Sequence, residues 1–364
     1  MGGSHYPTLS RGRLESDVAL ANWPDERLER VLACPACGSL RRETVYDDLT
    51  DTVLRRAAVT WQMHRCEGCG SHFLDPRPDV HSIGSAYAGY FTHDEPIVGN
   101  PNPAASGLHA VRRALANGYR NWRYGTRDRP ASMFGPVVAW AVPRLRHAAD
   151  VGMRFLPRRS TGRRLLDVGA GNGGYLLRAR AAGWEGVGVE TDPVAVKVAR
   201  RAGLLVHQGG IECLASAAGN FDVITMNHVI EHVHDPRAVL SVALRLLRPG
   251  GQLYLETPNA DSALHQRFGR HWRGLEPPRH LVLFTWNSIE ALLREVGYRP
   301  IKRLPRPGAY ATLLIKSRAI QRGADPESAG DVSLSVRVES ALHEAAMAFN
   351  HRRREFVALL AMKP

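Results

Sequence analysis

Residues 165–174 read LLDVGAGNGG, an apolar run that ends in an acid and passes into a glycine-rich turn. Glycines 169, 171, 173 and 174 space that turn as G-x-G-x-G-G behind Asp167, and the next apolar run, GVGVE at 186–190, ends in a second acid, Glu190. A strand that runs through such a turn into a helix brings backbone N–H groups close to a ligand, because glycine has no Cβ to block the approach. An acid at the tip of the following strand can accept both hydroxyls of a ribose. The pair predicts a nucleoside-containing cofactor lying across the ends of two neighbouring strands.

The pattern continues at regular intervals. FDVITM (221–226) is a buried strand, NHVIEHVHDP (227–236) leads into a helix, and RPGGQLYLETPN (248–259) supplies a turn and a further strand. Dinucleotide folds use G-x-G-x-x-G, whereas this turn resembles the D/E-x-G-x-G-x-G of class I S-adenosylmethionine (SAM) methyltransferases. The FDVI…EHV…DP…LRPGG…TPN succession is similar to the same family, specifically to the branch of ubiquinone-type O-methyltransferases and of polysaccharide and natural-product methyltransferases. The resemblance covers roughly residues 161–300 and implies an α/β fold: a doubly wound, Rossmann-like, seven-stranded methyltransferase sheet. It implies SAM as cofactor, held by Asp167, Gly169, Ala170, Gly171, Asn172, Gly173, Glu190, Thr191, Ile211, Asn227 and His228. One departure stands out: HQGGIE (207–212) puts Gly210 where the family carries an acid for the adenine amino group.

Ahead of this domain, four of the five cysteines form CPACG (34–38) and CEGCG (66–70). Each C-x2-C knuckle lets two thiolates meet one ion, and the glycine behind it permits the tight turn that aims N–H groups at sulfur. Two knuckles give the closed four-thiolate shell that structural zinc prefers. The module resembles a zinc ribbon with Cys34, Cys37, Cys66 and Cys69 as ligands. The expected order is an N-terminal extension over 1–30 that is disordered or extended, the ribbon over 31–80, a helical connector and substrate-side cap over 81–160, and the methyltransferase domain over 161–364 with an insertion at about 304–350. Within that domain the sixth strand falls in 299–303 or, as an added strand, in 309–316; FVALLAM (356–362) makes the last, antiparallel one.

The chemistry is expected beyond the carboxyl ends of the fourth and fifth strands, where open α/β sheets bind ligands. A hydroxyl acceptor must lose its proton, and histidine suits that task. His228 is the first candidate base, with His232 expected on the same helix face and Glu231 beside them. The family's E-x-x-E-H segment, implicated in holding a divalent cation, matches at Glu231 and His232, while His228 replaces its first acid; a catalytic cation held by these two is therefore a further reading. The loop FGRHWRGLEPPRHLVLFT (268–285) supplies His280 as a second candidate base, Arg279 for an anionic acceptor and Trp272 as a pocket wall, with Asn259 at the strand end as a third substrate residue.

Lysine and arginine exceed aspartate and glutamate by 13 charges, which favours anionic partners without naming one. The stretches ALANGYRNWRYG (114–125) and 133–159 carry apolar and basic residues together and read either as bundle helices or as a surface lying in a membrane interface. No run reaches the roughly 18 apolar residues of a membrane span and no secretory signal opens the chain, so a cytoplasmic location, with peripheral membrane contact as a further reading, is the expectation. Three functions stand open: a SAM-dependent O-methyltransferase of a small or carrier-linked metabolite with a sugar or phenolic hydroxyl; an RNA methyltransferase that docks nucleic acid through the ribbon; and a SAM-binding scaffold without turnover, motivated by Gly210. Sequence does not fix the oligomeric state.

Overall fold

The computed structural model describes residues 23–54, 59–87, 107–158, 163–347 and 350–364. Most of the expected N-terminal extension, and Tyr90 and Phe91 of the connector, lie outside them. The ribbon comes first. Strands β1 (Leu28–Glu29), β2 (Arg42–Leu49), β3 (Trp61–Cys66), β4 (His72–Leu74) and β5 (Arg77–Pro78) follow one another, with β2, β3 and β4 forming an antiparallel meander and β1 pairing with β5. The connector folds as three helices, α1 (Leu108–Tyr124), α2 (Gly135–Ala141) and α3 (Pro143–Gly152). The break between the last two falls at Pro143, which has no N–H for a continuing helix and so starts a new one.

The catalytic domain then alternates as read: β6 (Arg164–Val168), α4 (Gly174–Ala181), β7 (Glu185–Glu190), α5 (Pro193–Arg201), β8 (Leu205–Gln208), β9 (Phe221–Asn227), α6 (Pro236–Leu246) and β10 (Leu247–Pro258). After it come α7 (Ala263–Phe268), β11 (Val282–Leu283), α8 (Trp286–Val296), β12 (Ile301–Arg303), α9 (Tyr310–Gln321), α10 (Leu334–Ala346) and β13 (Phe356–Met362). Seven strands make the main sheet in the order β12-β13-β10-β9-β6-β7-β8. Six run in one direction, while β13 enters antiparallel between β10 and β12. Leu165, Leu166, Val223, Ile224, Leu253 and Leu255 are fully buried in its centre, as expected of parallel strands covered on both faces.

Residues 301–303 are the sixth strand. The alternative at 309–316 is corrected: that stretch lies in α9, an insertion helix packed against α10. The ribbon's sheet also takes in a strand from the C-terminal domain. β11, from the loop after β10, adds to its sheet beside β4, with Val282 opposite Phe73 and Leu283 opposite His72. Leu74 N–H donates to Leu281 O at 3.1 Å, and Arg279 reaches back to Asp51 at 2.6 Å. The loop over the acceptor side is therefore part of the ribbon's own sheet.

Candidate functional site

The glycine turn sits at the tips of β6 and β7. Gly169 has φ 68°, and a Cβ there would stand 2.6 Å from Val229; Gly173 has φ 86° and would meet Leu204 at 2.3 Å. Both positions require glycine on conformation and on space. The N–H groups of Gly169 and Ala170 donate to Val189 O, at 2.9 and 3.1 Å. Gly171 N–H donates to the Glu190 carboxylate at 2.8 Å, and Asp192 N–H to its other oxygen at 2.9 Å. Glu190 is thereby fixed beside the turn, with Thr191 next to it, as the ribose reading requires.

Asp167 is fully buried. Its Oδ1 pairs with the Arg154 guanidinium and accepts from Thr225 Oγ1 at 2.7 Å. Burial pushes the carboxyl above its usual range, against the pull of Arg154 and Thr225. Its Oδ2 has no hydrogen-bond partner among the described residues. A buried orphan acceptor is costly, and a cofactor's ammonium is a group that could satisfy it. Sequence reading missed Arg154, which stacks 3.7 Å over the Tyr175 ring; its position just beyond α3 gave no local signal.

At Gly210 the space a side chain would fill is occupied by Glu212, whose carboxylate oxygens lie 2.3 and 2.4 Å from the Cβ that would stand there. Glu212 thus presents an acid at the place where Gly210 lacks one, next to Ile211.

On the other half of the sheet edge, the segment after β9 is not an α-helix. His228 takes φ 55°, and Ile230–His232 forms a single 3-10 turn. The expected shared face of His228 and His232 is therefore corrected, because the left-handed residue turns the two rings apart. The His228 ring lies between two buried carboxylates, with Nδ1 3.1 Å from Glu231 and Nε2 3.5 Å from Glu256, and it packs edge-on against Phe356 at 4.8 Å. Burial opposes its charge, but Glu231 and Glu256 outweigh it and hold the imidazolium up to about 9. Burial likewise works against Glu231, yet His228 and His232 bring its carboxyl down to about 2.

His232 points the other way, onto His280, with ring centres 4.8 Å apart. One ligand atom each from Glu231, His232 and His280 lies within 4.8 Å of the others. His232 Nδ1 is 3.0 Å from Arg279 O, and His280 Nδ1 is 2.8 Å from Gly274 O. A carbonyl can only accept, so the His280 ring carries its proton on Nδ1 and presents the Nε2 lone pair, while His232 Nδ1 also meets the Tyr87 hydroxyl at 2.9 Å. Second-shell carbonyls fix metal-binding histidines in the same way. Burial and the neighbouring His232 push the His280 pKa down to about 4, so the ring is neutral. This makes His280 a third member of the cluster expected from Glu231 and His232.

The three substrate residues of the sequence reading lie elsewhere. Arg279 is fully buried and directs four of its five N–H donors at Asp51, Glu276 and Ala86 O, so it is not exposed to an anionic acceptor. Trp272 is buried and stacks on His265 at 4.6 Å. Asn259 is buried and donates to the carbonyls of Arg352 and Arg354, at 2.8 and 2.7 Å, tying β10 to the start of β13. All three hold the loop and sheet edge in place rather than face a pocket.

In the ribbon, both knuckles close alike. Gly38 N–H donates to Cys34 O at 2.8 Å and Gly70 N–H to Cys66 O at 2.9 Å, with both glycines left-handed. The four sulfurs converge, Cys34 and Cys69 at 3.7 Å and Cys37 and Cys66 at 3.5 Å. Four sulfurs about 2.3 Å from a tetrahedral zinc would stand about 3.8 Å apart, so the donor set and its spacing fit that ion.

A family described as a methyltransferase domain matches residues 142–303. Ubiquinone biosynthesis O-methyltransferase of Xanthomonas oryzae pv. oryzae is 33% identical over 177 residues, 45% of this chain and 67% of that protein. Its counterpart in Xanthomonas campestris pv. campestris is 35% identical over 178 residues, covering 45% and 68%. Among solved structures, a SAM-dependent methyltransferase of Thermotoga maritima, titled as a possible histamine N-methyltransferase, is 18% identical; the match covers 63% of this chain and 99% of that one, with a TM-score of 0.38.

Proposed function

Because the chain belongs to the class I SAM-dependent methyltransferases, we propose that it methylates a hydroxyl oxygen of a small or carrier-linked metabolite, a sugar or a phenol, held at the Glu231–His232–His280 cluster. The observation that carries this reading is the convergence of Glu231, His232 and His280, with the Nδ1 of His280 held by the Gly274 carbonyl. When bound, SAM supplies a methyl group already activated on sulfonium. The protein's task is then alignment and removal of one proton.

On the cofactor half, Asp167 Oδ2 is the acceptor for the ammonium, the glycine turn gives close approach, and Glu190 takes the ribose. Glu212 stands in for the acid missing at Gly210, which removes the motive for a scaffold without turnover. On the acceptor half, neutral His280 takes the hydroxyl proton at Nε2. His228, whose imidazolium persists up to about 9, is charged at neutral pH and serves as a fixed cation between Glu231 and Glu256 rather than as the base. The same cluster suits a divalent cation, which would lower the acceptor's pKa; Glu231, His232 and His280 would hold it. Cys34, Cys37, Cys66 and Cys69 are proposed to hold a structural zinc. The RNA reading draws no support from the ribbon, where Arg42, Arg65 and Arg77 pair with Asp75, Glu43 and Glu29.

The test separates binding from turnover. Calorimetric titration with SAM and methyl transfer to sugar and phenolic acceptors are measured for the native chain and for His280→Ala. Loss of a positioned proton acceptor costs about 10²–10⁴ in turnover, with SAM affinity retained. An equal loss of affinity and turnover in His280→Ala would sink the assignment.

A further inference from the structure

Helix α2 is amphipathic in the inverse sense. Its small residues Gly135 and Ala139 are buried, and Gly135 sits so close to α1 that a Cβ would stand 2.3 Å from Leu115 O. Its large apolar residues face outward: Met133 is 86% exposed, Phe134 64%, Val137 66% and Trp140 78%. At 100° per residue these four cluster opposite Gly135 and Ala139. An ordinary surface helix turns its apolar stripe inward, so this face is built for something outside the described chain. Around it the charge is one-sided. Residues 107–148 contain eight arginines and a single acid, Asp128, which is already paired with Arg120; Arg127, Arg129 and Arg144 are exposed.

We infer that this face docks on an anionic lipid surface, with Phe134, Val137 and Trp140 among the acyl-chain ends and the arginines at headgroup level. Arginine stems and a tryptophan ring suit that boundary, apolar in the body and polar at the tip. A second copy of the chain is the less favoured occupant, because a two-fold contact would bring the same arginines face to face. No described helix is long and apolar enough to cross a membrane, so the contact lies on the bilayer.

The experiment is co-sedimentation of the full chain with vesicles of equal parts phosphatidylglycerol and phosphatidylcholine, against pure phosphatidylcholine. Binding to the anionic vesicles should exceed the neutral control at least about tenfold and weaken with salt. Phe134→Ser with Trp140→Ser should lower it about tenfold, and Arg129→Gln with Arg144→Gln about as much, while SAM affinity stays unchanged in both. Absence of binding, equal binding to both vesicle types, or binding unaffected by the Phe134/Trp140 pair would overturn the inference. So would a dimer in sedimentation velocity that the same pair dissolves, which would assign the face to a second copy.

Discussion

At the tips of β6 and β7 the turn and its acid come from one stretch, Asp167 to Asp192, with side-chain hydrogen bonds from Arg154 and Thr225 to Asp167. At the tips of β9 and β10 the groups come from places far apart in the chain: Asp51, Tyr87, His228 to His232, Glu256, Glu276 to His280, and Phe356. The first half is positioned mainly by backbone turns within that stretch. The second depends on the ribbon, which carries the loop through β11 and through the Asp51–Arg279 pair. Two halves of one sheet edge therefore differ in what must fold before they exist, and that difference can be broken experimentally.

Disrupting the four-thiolate cluster proposed to hold zinc should have the largest effect. A structural zinc site contributes on the order of 10 kcal/mol in isolated finger peptides, so Cys34→Ser with Cys66→Ser should abolish zinc binding and unravel the meander that pairs with β11. Turnover should fall to background while SAM affinity, read by calorimetry, changes little. If SAM affinity disappears as well, the two halves are not separable and the comparison fails.

Arg279 tests the same link without touching a ligand of the ion. Removing one partner of a buried ion pair costs about 3–5 kcal/mol, because the charge left behind has no partner. Arg279→Met removes the buried cation that Asp51 and Glu276 share, leaving Glu276 to Arg273 and Asp51 to the N–H groups of Val53 and Leu54, and urea unfolding should register a loss of up to that size. Adding Asp51→Asn should recover part of it by removing a buried charge left without its cation. No loss in the single variant would show that the loop is held by β11 alone.

The same contrast explains what could be read from sequence. The glycine turn, Glu190, the strand order and both cysteine knuckles are local patterns, in which residue type and spacing already imply the backbone that makes them work. Arg279, Trp272 and Asn259 looked like pocket residues because a polar or aromatic side chain near a strand end is where ligands bind. Their partners lie between residues 51 and 354, and no spacing rule connects them. Glu256 gave a signal that was passed over: a charged residue inside the apolar run LYLETPN has to be paired, and it is, with Arg306 at 2.7 Å and with His228. His280 and His232 were both legible by residue type, but their meeting was not, because the left-handed His228 that turns them together is a backbone event.

His228 gives the smallest effect and the sharpest reading of the acceptor half. Burial opposes its charge, and the Glu231 and Glu256 carboxylates more than restore it, so the folded pKa stands at about 9 against an ordinary value near 6.5. A raised folded pKa stabilises the native state fully below about 6.5, and that contribution is lost as pH rises toward 9. Glu231, held down to about 2, works the opposite way: its contribution is present above its ordinary range and fades only as acid drives it toward that value. The alkaline window therefore belongs to the histidine. The stability advantage of the native chain over His228→Gln, taken from urea midpoints, should be largest at pH 6 and shrink steadily to pH 9.5. An advantage that does not vary over this range would mean that the ring is neutral in the folded protein. His228 would then return to the role of base, and the division of labour between it and His280 would have to be reversed.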